Sequence, residues 1–408
     1  MTRKRRLLIH GDSVCKTSGF GHVVRTLVSA LPEWDVVQIG LNHPGPTAKP
    51  PAGYEHVRVI DPRSVDDKQL GFSVLRELYL EEDFDLCFIM QDLHVAKVWA
   101  PSVRAMRDMR RFRNRPACPL LFHFPVDGPM LADHALIEAA DASVVPTEHA
   151  NDLLLDQGLI ASRLPVIPHA FDPAYGPQDP EQRAELRARV FGLLDPDALA
   201  VLWLGVNSPR KDPFTALQAI KALSGRVQAK IHLHTAARFM GMDVYLMARA
   251  AGLDGLSFQV SDSAMLGLPA ANVNDLYAAA DCLLFTSRRE GVGIPMIEAM
   301  ATKTPVVAPN YGPFAEILGH GNHGTLVAPP VLCWQQYDDR GPHYQSDPAL
   351  IADALEALCI ERKQDRAAYD ARLDLAHRVA TEKHDMAIVR TRWRRYVHDL
   401  LESAGRNP

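Results

Sequence analysis

Five prolines within sixteen residues, Pro165, Pro168, Pro173, Pro177 and Pro180, divide this chain in two. No helix or central strand carries proline at that spacing, because each proline removes a backbone donor and locks φ. The texture on both sides is the same: short apolar runs alternate with amphipathic stretches, the βα pattern of a parallel sheet. Before the prolines, strands are predicted at Leu7–His10, Val36–Ile39, Val57–Ile60, Leu86–Met90, Leu120–Phe124, Ser143–Val145 and Leu164–Ile167. Helical periodicity falls at Phe20–Leu31, Gln69–Leu80 and Val95–Met109. After the prolines, strands are predicted at Val201–Leu204, Ile231–His234, Leu256–Val260, Cys282–Phe285, Pro305–Ala308 and Thr325–Val327. From Asp347-Pro348, a good cap and first-turn pair, the chain reads as mostly helical to about Glu402. The expected fold class is α/β, with two Rossmann-like β/α/β domains at residues 1–172 and 173–385. Two such domains flanking a hinge place the default ligand site in a cleft at the carboxyl ends of the strands.

A length of 408 residues agrees with two domains of similar size. The charge balance, 44 basic against 49 acidic residues, supplies no global field for holding a polyanion. Locally, Arg104, Arg107, Arg110, Arg111, Arg113 and Arg115 form a basic cluster. It reads either as a solvated helix face or as a surface for anionic lipid, a phosphorylated acceptor or nucleic acid. No apolar run approaches the roughly 18–20 residues that span a bilayer. The opening Thr2-Arg3-Lys4-Arg5-Arg6 is basic, but the run after it is too short for a signal peptide and reads as a first strand. Six cysteines without a CxxC pair suit reduced thiols in a cytoplasm. No metal is implied: Asp83-Phe84-Asp85 and Asp195-Pro196-Asp197 precede strands instead of following them, and His232 and His234 lack a third ligand.

The segment richest in chemistry runs from Asp281 to Ala301. A buried strand ends near Ser287, and a loop with Gly291 and Gly293 lets backbone approach a ligand. Pro295 is expected as the first helical residue, so the N–H groups of Val292, Gly293 and Ile294 would face an anion at the positive helix end. Glu290 precedes the loop and Glu298 is expected in the first helical turn. Carboxylates accept paired hydrogen bonds from vicinal hydroxyls, which suits a sugar or ribose. In Gly205-Val206-Asn207-Ser208-Pro209-Arg210-Lys211-Asp212, after the first strand of the second domain, two adjacent cations can neutralise a diphosphate. Asn207 in the same turn is a further candidate. Gly19-Phe20-Gly21, between the first strand and first helix, is a glycine loop at a helix start but an incomplete dinucleotide fingerprint. His123 and Asp127, after the fifth strand, are candidate acid–base or orienting groups.

Glu290 and Glu298 with Ala299-Met300-Ala301 and Thr304-Pro305-Val306-Val307-Ala308 resemble the signature of family 4 glycosyltransferases of the GT-B fold. The resemblance implies a retaining, metal-independent enzyme that takes a sugar from a nucleotide diphosphate, with no cofactor beyond that substrate. It implies that Glu298 holds the donor ribose, that Glu290 meets hydroxyls of the transferred sugar, and that the 291–294 amides contact sugar or pyrophosphate. Lys211 matches the family lysine. Val206 stands where many members carry arginine, so Arg210 is the substitute. Gly19 and Gly21 correspond to the loop that closes over the sugar phosphate, and His123 to a histidine beside the reacting sugar. The helical tail, about 386–408, is expected to cross back onto the first domain. The acceptor class stays open: a saccharide, a lipid-linked or small hydroxyl compound, or nucleic acid, with a peripheral position on the inner membrane face as one option. Two alternatives remain, a nucleotide-sugar 2-epimerase of the same fold and a non-catalytic nucleotide-sugar-binding protein.

Overall fold

Runs of three to seven mostly buried residues build two separate six-stranded parallel sheets, each covered on both faces by helices. A computed structural model of the chain describes residues 3–65, 70–128, 134–192, 194–261, 267–328, 330–334 and 342–405. The chain divides into two compact units, one of Met1–Val126, Met130–Ala170 and Met386–Pro408, the other of Asp127–Pro129 and Phe171–Asp385.

The first unit orders its strands β3-β2-β1-β4-β5-β6: β1 (Arg6–Asp12), β2 (Asp35–Leu41), β3 (Val57–Ile60), β4 (Leu86–Met90), β5 (Leu120–His123) and β6 (Ala142–Val144). The strand predicted at Leu164–Ile167 shrinks to a single bridge between Val145 and Val166. Pro165 and Pro168 remove the ladder donors there, and the Asn151 amide takes over, donating to Leu164 O at 2.9 Å and accepting from Leu164 N at 2.8 Å. The helix predicted at Val95–Met109 is broken into Leu93–Ala96, a tight turn at Lys97–Trp99 and Ala100–Phe112, with Pro101 in the first turn of the last piece. The final helix, Met386–Ser403, buries Val389, Trp393, Val397 and Leu401 among Leu7, Ile9, Leu27 and Phe88. The crossing back of the tail is therefore a hydrophobic seam, with Trp393 edge-on to Phe88 at 5.7 Å.

The second unit orders its sheet β11-β8-β7-β12-β13-β14. These are β7 (Leu199–Leu204), β8 (Ala229–His234), β11 (Phe258–Ser261), β12 (Cys282–Leu284), β13 (Val306–Pro309) and β14 (Thr325–Val327), with a small hairpin, β9 (Arg238–Phe239) and β10 (Met242–Asp243), after β8. A second hairpin, β15 (Val331–Cys333) and β16 (His343–Gln345), has no counterpart among the predicted elements. Among the described residues no helix is long and apolar enough to cross a membrane.

Candidate functional site

Strands β7 and β12 are neighbours in the second sheet, Cys282 opposite Val201, so the loops that leave their carboxyl ends run side by side. Hydrogen bonds lace them together. Trp203 Nε1 donates to Thr286 Oγ1 at 2.9 Å, and that hydroxyl lies 3.0 and 2.9 Å from the carbonyls of Lys211 and Asp212. Arg288 N donates to Arg210 O at 2.8 Å, and Arg210 Nη1 returns a bond to Arg289 O at 2.9 Å. Arg288 Nε reaches Asp212 Oδ2 at 2.8 Å in a buried pair. Asp212 holds a left-handed backbone, φ +52°, and caps the helix Pro213–Leu223.

The outcome is one carboxylate between two cations. Arg210 Nη1 lies 2.9 Å from Glu290 Oε2, Lys211 Nζ pairs with Oε1, and the Lys211 ammonium also stands 5.3 Å over the Phe285 ring. The Lys211 and Glu290 side chains keep only 12% and 10% exposure. Burial alone would raise the Glu290 carboxyl, but Arg210 and Lys211 outweigh it and hold it at about 2. Burial pushes the Lys211 ammonium down, helped by Arg210 and opposed by Glu290.

Gly293, at φ +93°, caps the helix Ile294–Ala301, and a Cβ there would lie 2.6 Å from Met296 Cε. The helix begins at Ile294, so Pro295 is its second residue and not its first. Glu298 consequently lies at the fifth position, past the first turn in which it was expected, and cannot act on the helix-start amides as a cap. Its carboxylate looks instead to hydroxyls. Tyr277 Oη donates to Glu298 Oε2 at 2.7 Å, and Tyr175 donates as well. Burial raises the Glu298 carboxyl to about 7; the two tyrosine bonds pull it down and Asp172 pushes it up.

The other candidates take varied places. Asn207 is fully buried, its amide donating to Ala236 O at 3.2 Å and Met242 O at 3.3 Å, which ties its turn to the β9–β10 hairpin. Val206 is 55% exposed. Asp127 clusters with the second unit in the short segment Asp127–Pro129, where Gly128 lies against the Arg289 side chain. In the first unit His123 has no exposure: its Nδ1 donates to Val144 O at 3.0 Å, and its Nε2 lies 3.2 Å from His169 Nε2. Burial drives its pKa to about 4, so the ring stays neutral. Gly19 opens the first helix, Gly19–Ala30, whose cap Ser18 accepts from Gly21 N at 3.0 Å and donates to Asp12 Oδ2 at 2.5 Å. Gly21 is required by packing, since a Cβ there would lie 2.5 Å from Lys16 O.

The arginine cluster is largely neutralised by its own surroundings. Arg104 meets Glu138 at 3.1 Å, Arg111 meets Asp108 at 3.7 Å, Arg113 meets Glu81 at 2.5 Å and Arg115 meets Asp83 at 3.3 Å. Arg107 pairs with Asp141, while Arg110 is buried and donates to Pro116 O at 2.8 Å. His232 and His234 share Ser261 Oγ, at 3.1 and 2.7 Å. In Asp83-Phe84-Asp85, Asp85 serves the first strand, Arg6 N donating to its Oδ2 at 2.8 Å, while Asp83 pairs with the arginine cluster.

Sequence reasoning did not find Tyr175 and Tyr277, nor the Arg288–Asp212 pair. Tyr277 lies on the helix Ala270–Ala279, well upstream of Glu298, and only the fold brings the two together.

Residues 188–340 match the family described as glycosyl transferases group 1, a segment that includes Arg210, Lys211, Glu290 and Glu298. The D-inositol 3-phosphate glycosyltransferase of Xylanimonas cellulosilytica is 28% identical over 243 residues, 57% of this chain and 55% of the relative. The chain spans about half the length of the curated relatives it matches. Among solved structures, HepE of Anabaena in complex with UDP-glucose aligns with a TM-score of 0.69 at 18% identity, covering 97% of this chain and 99% of that one. The sucrose-phosphate synthase of Thermosynechococcus elongatus aligns with a TM-score of 0.72 at 17% identity, covering 98% of this chain and all of that one. The chain has the GT-B fold. Residues 188–340, which carry the family match, lie within its second unit. In GT-B terms the laced loops after β7 and β12 fall within the matched segment, and the first unit lies outside it.

Proposed function

We propose that this chain is a retaining glycosyltransferase that moves a sugar from a nucleotide diphosphate to a hydroxyl acceptor. The observation that carries the reading is Glu290 held between Arg210 and Lys211 inside the segment matching the glycosyltransferase family. A sugar nucleotide presents what this arrangement complements: hydroxyls for a carboxylate and a diphosphate for two cations. Glu290, held at about 2, is ionised at any working pH and serves as a hydrogen-bond acceptor, not a proton donor. As the bond from the anomeric carbon to the diphosphate loosens, charge gathers on the departing oxygens. Lys211 and Arg210, with the amides of residues 291–294, stabilise that charge from fixed positions. The leaving phosphate takes the acceptor's proton as the new glycosidic bond forms on the same face, so no strong protein base is needed. Two cations do the work a divalent metal does elsewhere, and the reading requires none. Glu298 holds the ribose. His123, neutral and enclosed, shapes the end of β5 and does not transfer a proton. Asn207 orients the backbone of its own turn through its bonds to Ala236 O and Met242 O. The HepE complex supports UDP-glucose as the first donor to try.

The test incubates the protein with UDP- and GDP-sugars and a panel of saccharide, polyol-phosphate and lipid-linked alcohols, following nucleoside diphosphate release and the anomeric configuration of the product. Acceptor-dependent release with retained configuration is expected. Release with an epimerised free sugar would assign the epimerase instead, and binding without turnover across the panel would leave a sugar-nucleotide-binding protein.

A further inference from the structure

Among the described residues, no cation acts on Glu298. The groups acting on it are two hydroxyls, from Tyr277 on the 270–279 helix and Tyr175 on the connecting segment, and one further carboxylate, Asp172. The surroundings are rigid. Tyr277 is fully buried, its ring edge-on to Tyr175 at 5.9 Å, and its carbonyl accepts from Thr304 Oγ1 at 2.9 Å. Tyr175 sits in a turn closed by Tyr175 N on Asp172 O at 2.9 Å and by Ala174 N on Asp172 Oδ1 at 2.9 Å. The next residue, Gly176, donates its N–H to Asn274 Oδ1 at 3.0 Å on the same helix as Tyr277. The segment entering the second unit is thus stapled beside Glu298.

A tyrosine hydroxyl and a cation do different things to a carboxylate. A cation adds charge as well as a contact: Arg210 and Lys211 each meet one oxygen of Glu290 and hold it as an anion. A hydroxyl takes one lone pair, fixes the plane of the group and leaves the remaining sites free. Tyr277 fixes Oε2 of Glu298 at 2.7 Å. We infer that Tyr277 and Tyr175 are positioning residues that set the Glu298 carboxylate as a reader of a vicinal diol, so that together they determine selectivity for ribose over deoxyribose in the bound nucleotide. The inference rests on the proposed sugar-nucleotide site. It adds that the selectivity resides in two aromatic hydroxyls that do not themselves need to touch the ligand.

The experiment measures binding of UDP, GDP and ADP and of their 2′-deoxy forms by calorimetry to wild type, Tyr277→Phe, Tyr175→Phe and the double variant, with thermal melts in parallel. Wild type is expected to prefer the ribose form by about tenfold or more, the scale of one hydrogen bond to a charged group. Tyr277→Phe should lose most of that preference by weakening the ribose form while leaving the deoxy form within about twofold, and Tyr175→Phe should lose less. In turnover assays the same variants should raise the donor KM with kcat little changed. Equal weakening of both nucleotide forms, or an unchanged ribose preference in the double variant, overturns the inference. Failure of wild type to bind any of the ribonucleotides would instead sink the sugar-nucleotide site itself. Because phenylalanine keeps each ring, a variant that melts near wild type yet loses the preference separates positioning from folding.

Discussion

Glu290 and Glu298 stand eight residues apart on one loop and helix, the first buried and the second half-buried, and their ionisation differs. Burial opposes charge at both. At Glu290 two cations overcome it and the carboxyl settles at about 2; at Glu298 only hydroxyls oppose it, and the carboxyl rises to about 7. The difference shows that burial does not decide the state of an acid; the kind of partner does. One residue is a permanent anion locked to its counter-ions. The other gains or loses its charge near neutrality and remains available to a ligand.

The largest effect should come from breaking the charged side of this pair. Lys211→Ala and Glu290→Ala are each expected to lower transfer by about 10²–10³-fold, the usual loss when one preorganised group is removed from the transition state. Circular dichroism should show the fold intact. Turnover near wild type in either variant would refute the role of the cluster. Glu290→Gln leaves Lys211 and Arg210 facing each other with no anion, and removing one partner of a buried pair costs about 3–5 kcal/mol. The sign follows from the depressed carboxyl. Its contribution is fully present above the ordinary carboxylate value near 4.5 and is lost as pH falls toward 2. Urea melts should therefore show Glu290→Gln less stable than wild type at pH 7, with the gap closing between pH 4.5 and 2.

The cluster and the fold differ in how far the sequence reveals them. The alternation of short apolar runs was enough for two α/β sheets, because strands buried on both faces must be apolar throughout. Arg210, Lys211 and Glu290 were legible because each sits just after a strand, where loops of adjacent strands are brought together. Leu164–Ile167 was misread as a strand because its apolar pattern is real, while the prolines inside it deny the ladder its donors and Asn151 pairs in their stead. Pro295 marked the helix but not its first residue, since Gly293 can adopt the cap conformation and let Ile294 enter ahead of it. Tyr175 and Tyr277 left no trace at any local spacing. A hydroxyl partner reached through tertiary packing has no periodic signature.

The neutral side of the comparison predicts the opposite pH slope. A carboxyl raised to about 7 keeps its proton in the folded state after the unfolded chain has lost it near 4.5. Its contribution to stability is thus complete below 4.5 and is lost as pH rises through 7. Glu298→Gln cannot ionise and should escape that loss. It should melt close to wild type at pH 5 and be more stable by about 1–3 kcal/mol at pH 8, the partial exposure of the group reducing the full linkage value. Donor affinity should fall in the same variant, because an amide presents one acceptor oxygen to a diol instead of two. A stability difference independent of pH would mean that Glu298 titrates as an ordinary exposed carboxylate.

The smallest effect concerns where the second cation comes from. Val206 occupies the position at which the family resemblance calls for arginine, and its side chain is 55% exposed. Arg210, four residues on, already has its guanidinium 2.9 Å from both Glu290 Oε2 and Arg289 O. If Arg210 has taken over the charge, Val206→Ala removes only exposed methyl groups. It should change stability by no more than about 0.5 kcal/mol and rate by less than about twofold. Arg210→Ala should lose about tenfold or more in rate, as expected for one charge-assisted contact. Placing arginine at the vacant position, Val206→Arg in the Arg210→Ala background, should recover part of that loss, because the proposed diphosphate site calls for a cation and not a particular backbone origin. Recovery would show that the two positions are alternative supports for one charge. Arg210→Ala with wild-type turnover would show that Lys211 alone suffices and that Arg210 serves only to brace the Glu290 loop.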